Sequence, residues 1–230
     1  NCNVVLNTIA AEAFEEACDR LEKAEDFDKE LNALIVEYTE KHKRIIFSGN
    51  GYSKEWQEEA KRRGLPNLPT MVDAIPALTT DAAIDMFEHF KVFTKAELEA
   101  RAEIQYEIYA KAINIEARTM IDMATKQIIP AVVKYTTVRA AGKTYNVSVQ
   151  EKLLEKTSAL LAESYEALNH LAEVTAEIEK KEEGPERARY CLDVIMPAMT
   201  ELRTPVDALE MIVDKEMWPM PSYGDLMFIL

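Results

Sequence analysis

The sequence predicts an all-α protein: an antiparallel bundle of long helices, preceded by a helical pair and a Pro-rich loop, with almost no strand. Three observations carry this. Apolar residues recur at spacings of three and four along nearly the whole chain, the mark of helices that bury one face. The 230 residues include only six glycines, so tight turns are few. Ala, Glu, Leu and Lys, all strong helix formers, dominate the composition. With 48% hydrophobic and 30% charged residues, a chain of this length can fill a sizeable core.

The first pattern runs from about Val4 to Lys23, gathering Leu6, Ile9, Ala10, Ala13, Phe14, Ala17 and Leu21 on one face. Asp26-Phe27-Asp28 breaks it, and a second helix from about Lys29 carries Leu31, Leu34, Ile35 and Tyr38 toward Ile45. The stretch Ile45 to Lys54, IIFSGNGYSK, then reads as a helix stop followed by a helix start. Gly49-Asn50-Gly51 tolerates left-handed backbone, and Ser53 caps KEWQEEAKRR with Trp56 at its third helical position. Gly64 closes that helix. The following LPNLPTMVDAIPAL holds three prolines and is predicted to be loop with at most a turn of helix. Thr80 or Asp81 caps a short helix through Phe90.

Thr94 and Glu97 form a capping box that opens the longest pattern, about Lys95 to Ala141. Pro130 inside it calls for a kink or a restart. From Ile113 to Val133 the pattern is apolar on more than one face, which predicts the most enclosed element of the fold. Thr144 to Val149 alternates and suggests a short extended stretch. A fourth helix, about Val149 to Glu182, repeats Val149, Leu153, Thr157, Leu160, Ser164, Leu168, Leu171, Thr175 and Ile178 as a bundle seam. Gly184-Pro185 is a stop and restart. The last pattern, about Glu186 to Glu216, is expected to be interrupted near Pro197 and at Thr204-Pro205. Two regions result: residues 1–78, and the bundle of residues 79–230 with its apolar tail.

A formal charge of −14 argues against nucleic acid or an anionic membrane as partner, because both select clustered Lys and Arg. No apolar run approaches the roughly 20 residues that span a bilayer. Cys2, Cys18 and Cys191 match no zinc or redox spacing and read as small apolar core residues of a reduced, cytoplasmic protein. The chain lacks an initiating Met and opens directly in a helical pattern, so it is expected to be a piece of a longer polypeptide.

Candidate chemistry is sparse. Gly49-Asn50-Gly51 lacks the GKS or GKT of a phosphate loop, and an interhelical turn is the simpler reading. Glu116 sits among Ala112, Ile113, Thr119 and Met120, and is expected inside, salt-bridged to Arg139, Arg187 or Arg203, while Arg118 can pair with Asp122. His42, His89 and His170 share no ligand spacing and read as surface or capping residues. Met120, Met123, Met196 and Met199 fall at helical spacing and read as core filling. No catalytic, cofactor-binding or metal residue is assigned. The tail Trp218 to Leu230 carries two prolines that block helix, then five consecutive apolar residues. It is expected to dock on its own bundle or on a neighbouring subunit.

IIFSGNGYSK, together with LNTIAAEAF (Leu6 to Phe14), INIEARTMIDMATKQIIPAV (Ile113 to Val132) and WPMPSYGDL (Trp218 to Leu226), closely resembles the C-terminal region of type III glutamine synthetases. The resemblance implies an intact enzyme that makes glutamine from ATP, glutamate and ammonia, using Mg²⁺, within a homo-oligomer. It also implies that the catalytic glutamates and arginines lie upstream of Asn1, so none transfers to this numbering. Residues 1–78 would back that catalytic domain, and the bundle would serve packing or assembly. The alternative is a stand-alone helical protein-interaction module with no enzymatic role.

Overall fold

The computed structural model describes residues 2–141, 147–221 and 223–228. Among them every regular element is helical. The chain divides into two compact units, Asn1–Ala102 and Glu103–Leu230. The sequence places its change at residue 79; the division of the structure falls within a helix, after Ala102.

In the first unit, α1 (Cys2–Glu22) and α2 (Phe27–His42) form an antiparallel pair. Asp26 caps α2 by accepting from the Lys29 N–H, and Arg20 joins the helices by reaching both Glu30 and Glu37. After a 3₁₀ turn at Lys43–Ile45 comes α3 (Lys54–Arg62), whose Ser53 Oγ accepts from the Trp56 N–H at 3.2 Å. Gly64, at φ 70°, adopts the left-handed backbone that ends it. The Pro-rich stretch contains α4 (Met71–Ala74) and a 3₁₀ turn over Ile75–Thr79. Thr80 caps α5 (Asp81–His89), whose Ile84, Met86 and Phe87 build a small core with Leu98. Val4 and Val5 of α1 pack on that core.

The face of α1 that meets this core is not the predicted apolar face. Thr8 is buried and donates to the Val4 carbonyl, whereas Leu6 is 63% and Phe14 71% exposed. The stripe of Leu6, Ile9, Ala10, Ala13 and Phe14 lies open.

The capping box forms as expected at the start of α6 (Lys95–Met123): Thr94 N–H donates to Glu97 at 2.8 Å, and Glu97 N–H to Thr94 Oγ1 at 3.4 Å. Within the second unit the long helix continues through a π-turn, Ala124–Ile128, into α7 (Ile129–Ala141). Pro130 thus follows the expected interruption, a π-turn that ends α6 and lets α7 restart at Ile129. Its ring and missing N–H are accommodated by widening the preceding turn, where Ile129 N–H reaches back five residues to the Ala124 carbonyl. The same device precedes Pro197: α9 (Pro185–Tyr190) passes through a π-turn, Cys191–Ile195, into α10 (Met196–Glu210). Pro205 lies inside α10 without interrupting it, contrary to expectation, and is itself buried.

Helix α8 (Val147–Ala176) runs between these two and packs on both α7 and α10. Thr157, Ser164, Leu168, Leu171 and Thr175 of its predicted seam are buried, and Ile178 follows in a 3₁₀ turn; only Val149, at 55%, is exposed. Two of the buried hydroxyls are satisfied by bonding their own helix, Thr157 to Leu153 O and Ser164 to Leu160 O, each at 2.7 Å, whereas the Thr175 hydroxyl has no hydrogen-bond partner among the described residues. One core cluster joins Ala110, Ile113, Ala117 and Ala124 to Leu168, Leu171, Cys191, Ile195 and Leu202. A second joins Val132, Tyr135, Leu209 and Val213, covered by Trp218 and Met220. Gly184, at φ 87°, makes the turn into Pro185 as predicted.

The segment 113–133 is not enclosed on all sides: Ala117 and Val132 are fully buried, but Ile115 is 65% exposed. The extended stretch expected over 144–149 lies outside the described residues up to 146, and from Val147 the chain is helical. After two prolines the tail forms α11 (Tyr223–Met227), a short helix where none was expected.

Candidate functional site

The stretch around Gly49-Asn50-Gly51 folds into a tongue whose geometry follows from its residues. Phe47 stacks on Trp56 with ring centroids 4.2 Å apart, and the Arg63 guanidinium lies 5.6 Å over the indole. Arg63 also donates to the carbonyls of Ile46 (2.8 Å) and Arg44 (3.3 Å), stitching the end of α3 to the strand-like approach to the turn. Asn50 Oδ1 accepts from the Tyr52 N–H at 3.0 Å, an Asx-turn that fixes the tip. A Cβ on Gly49 would stand 2.7 Å from Phe47 Cζ, so the ring would have to shift to admit a side chain there. Gly49→Ala should push Phe47 off Trp56 and destabilise the tongue by about 1 kcal/mol. Trp56 fluorescence reads this directly, and an unchanged spectrum with unchanged stability would refute it.

Glu59 is the electrostatic hinge of the tongue. The guanidiniums of Arg62 and Arg63 hydrogen-bond its carboxylate and hold its pKa at about 2, against an ordinary 4.5. A depressed carboxylate contributes stability above its unfolded pKa and loses that contribution as pH falls through the folded value. An acid titration of Trp56 fluorescence should therefore show a transition between pH 4.5 and about 2 that Glu59→Gln lacks. Identical titrations of the two proteins would remove Glu59 from this role.

The residues singled out from the sequence are not brought together. Glu116 lies on the exposed side of α6, so the expected internal salt bridge does not form. Arg139 stacks on Tyr135, Arg187 binds the Lys181 carbonyl, and Arg203 pairs with Asp207. Arg118 pairs with Asn114 and Glu179, and Asp122 with Lys126. Of the neighbours grouped with Glu116, Ile113 is buried and Met120 partly so, but Ala112 and Thr119 are exposed, and the buried line of the helix runs through Ala117 instead. His89 meets Glu15 at 2.6 Å and His170 meets Glu201 at 2.9 Å, both as exposed cross-helix pairs; His42 packs edge-on against Tyr38. Cys191 is buried, and desolvation pushes its thiol up to about 11, which makes it unreactive at neutral pH. Cys2 and Cys18 are exposed, not core residues as expected. Met120 and Met199 do fill the core, while Met196 is 39% exposed and accepts from the Tyr109 hydroxyl.

ATP and Mg²⁺, which the resemblance implies for the intact enzyme, require clustered carboxylates and cations. Among the described residues no group of three or more His, Cys, Asp or Glu could hold a metal ion. No reaction step is assigned to these residues. Nor is any helix among the described residues long and apolar enough to cross a membrane.

What the surface does offer is apolar. Besides the α1 stripe, Leu226, Met227 and Phe228 of the tail are each more than half exposed, while Trp218 and Met220 just before them pack on the bundle. Contiguous exposed apolar surface of this kind is what contact sites between proteins or domains present. Residues 30–144 match the family described as the glutamine synthetase C-terminal domain, and the chain belongs to that family.

Its relatives agree. A glutamine synthetase of Butyrivibrio fibrisolvens is 34% identical over 90% of this chain and 31% of its own length. The type-3 glutamine synthetase of Dictyostelium discoideum is 30% identical over 98% of this chain and 33% of its own. A glutamine synthetase of Bacteroides fragilis is 27% identical over 94% and 31%. The chain thus spans about a third of the length of the curated relatives it matches.

Proposed function

We propose that this chain is the non-catalytic helical C-terminal part of a type III glutamine synthetase, and that its work is packing and subunit assembly. In the intact enzyme, ATP, glutamate and ammonia give glutamine, with Mg²⁺ neutralising the transferring phosphate. That chemistry belongs to the catalytic region, and this chain holds the region in place. The supporting observation is the open stripe of Leu6, Ile9 and Phe14 on α1, an apolar face that stays 48–71% exposed. The stripe backs the catalytic region, and the apolar tail meets a neighbouring subunit of a cytoplasmic homo-oligomer.

Purified alone, the chain should form no glutamine when given ATP, Mg²⁺, glutamate and ammonia, whereas the full-length protein should. Turnover by the isolated chain would sink the non-catalytic assignment. Inactivity of the full-length protein under the same conditions would sink the ligase assignment.

A further inference from the structure

The chain holds nine asparagines, and Asn50 alone is followed by glycine. The others precede Cys, Val, Thr, Ala, Leu, Ile or His, whose side chains shield the next backbone nitrogen. A side-chain amide can be attacked by the nitrogen of the following peptide, and glycine leaves that nitrogen most open because it lacks a Cβ. The Asn50-Gly51 pair stands at the tip of the tongue, where every residue from Ile45 to Tyr52 is exposed. Beyond its chain neighbours, none of the described residues comes within 4 Å of the place a Cβ would take on Gly51, so solvent reaches the peptide.

The turn also sets the side chain in place. Asn50 Oδ1 accepts from the Tyr52 N–H at 3.0 Å, which folds the carboxamide back along its own chain, over the intervening Gly51 peptide. The same N–H faces the oxygen on which negative charge develops when Cγ is attacked, and it stabilises that oxyanion. A main-chain bond, Ser53 N–H to the Asn50 carbonyl at 3.2 Å, spans the turn. At so exposed a tip, its loosening lets the backbone rotate into a closed ring at small cost.

We propose that Asn50 is a self-modification site, where the tongue deamidates without an enzyme through a cyclic imide formed with Gly51. The Gly51 amide gives its proton to hydroxide and its nitrogen bonds to Asn50 Cγ. The Cγ–Nδ2 bond then breaks, and Nδ2 takes a solvent proton and leaves as ammonia. Water opens the imide. Cleavage at Cγ leaves an ordinary aspartate, and cleavage at the main-chain carbonyl leaves an isoaspartate, whose backbone runs through the former side chain. Aspartate keeps an acceptor for the Tyr52 N–H and adds a negative charge. Isoaspartate lengthens the main chain between Gly49 and Ser53 and loosens the turn that leads into α3.

Peptide mapping of the full-length protein tests this, because trypsin cuts after Arg44 and Lys54 and releases Ile45–Lys54 as one peptide. When the folded protein is stored at mildly alkaline pH, this peptide should gain about one dalton relative to fresh protein and split into aspartyl and isoaspartyl forms. The rate should rise with pH, since the Gly51 amide must lose its proton, while peptides bearing Asn32, Asn67 or Asn114 keep their mass. Gly51→Ala should slow the change on the order of tenfold or more, because the methyl group shields the attacking nitrogen. That variant should fold as before, since Gly51 is not among the glycines with positive φ and its side of the turn is open. A peptide that stays unmodified in the folded protein, or changes only after unfolding in urea, overturns the proposal, because the turn would then protect Asn50. Aspartate without isoaspartate, or equal rates in the Gly51→Ala variant, also overturns it by showing direct hydrolysis of the side-chain amide. The readout is a mass, so the outcome does not depend on whether the protein makes glutamine.

Discussion

Replacing Leu171 by Ala should destabilise the helical bundle by about 3 kcal/mol, the largest loss expected from any single truncation on α8. Leu171 is fully buried and sits in the cluster that joins all three long helices of the second unit, with Ile113, Ala117, Cys191 and Ile195. Removing its branched end forfeits both the transfer free energy and the contacts around the void. Its small neighbours Ala117 and Cys191 have little side chain with which to fill the gap. Val149→Ala on the same helix is the control: at 55% exposure it should stay within about 0.5 kcal/mol. Urea unfolding followed by far-UV circular dichroism measures both. Equal midpoints for the two variants would mean that the seam of α8 is not the centre of the core.

The second large effect depends on what surrounds the chain. Leu6→Ser with Phe14→Ser should leave the isolated chain as stable as before, because both side chains are already mostly in water. In the full-length protein the same pair should cost about 1.5–3 kcal/mol per side chain, the value of burying a Leu or a Phe. Glutamine formation should fall with it at temperatures where the unmodified enzyme is stable. The contrast between the two backgrounds is the result that matters. Equal effects in both, whether large or nil, would show that nothing covers the stripe.

Helix positions, caps and the α8 seam were legible in the sequence because each rests on local chemistry. Ser53, Thr80 and Thr94 cap where an oxygen precedes a helical pattern, and Gly184 turns where only glycine is comfortable. Faces were less legible. The apolar stripe of α1 was identified correctly, but amphipathicity cannot say whether its cover belongs to the same unit, and here the buried side is that of Val4, Val5 and Thr8. The interruptions at Pro130 and Pro197 were legible, though not their form as wider turns, and only Pro205 was over-read, since it sits inside an unbroken α10. Glu116 was misplaced for a related reason: Ile113 and Met120 do turn inward, but the buried line between them passes through Ala117, one position on, and leaves Glu116 with Ala112 and Thr119 in solvent. The tongue's turn and cap were legible, but the stacking of Phe47 on Trp56 was not, because it joins residues that only the turn brings together.

The π-turn at Ala124–Ile128 amounts to one residue more than the α-helix requires over that span. Upstream, inward residues alternate at intervals of three and four, through Ala110, Ile113, Ala117 and Met120. Across the turn the intervals become four, four and four, through Ala124, Ile128 and Val132, before Tyr135 restores the alternation. The helix thus carries two phases joined by a single-residue insertion, and the π-turn confines the extra residue to one turn. Losing one residue between 124 and 128 would leave an unbroken α-helix, yet swing Val132 and Tyr135 by about 100° away from Leu209 and Val213. In this helix, regular geometry and a filled core are alternatives, and the chain has kept the core.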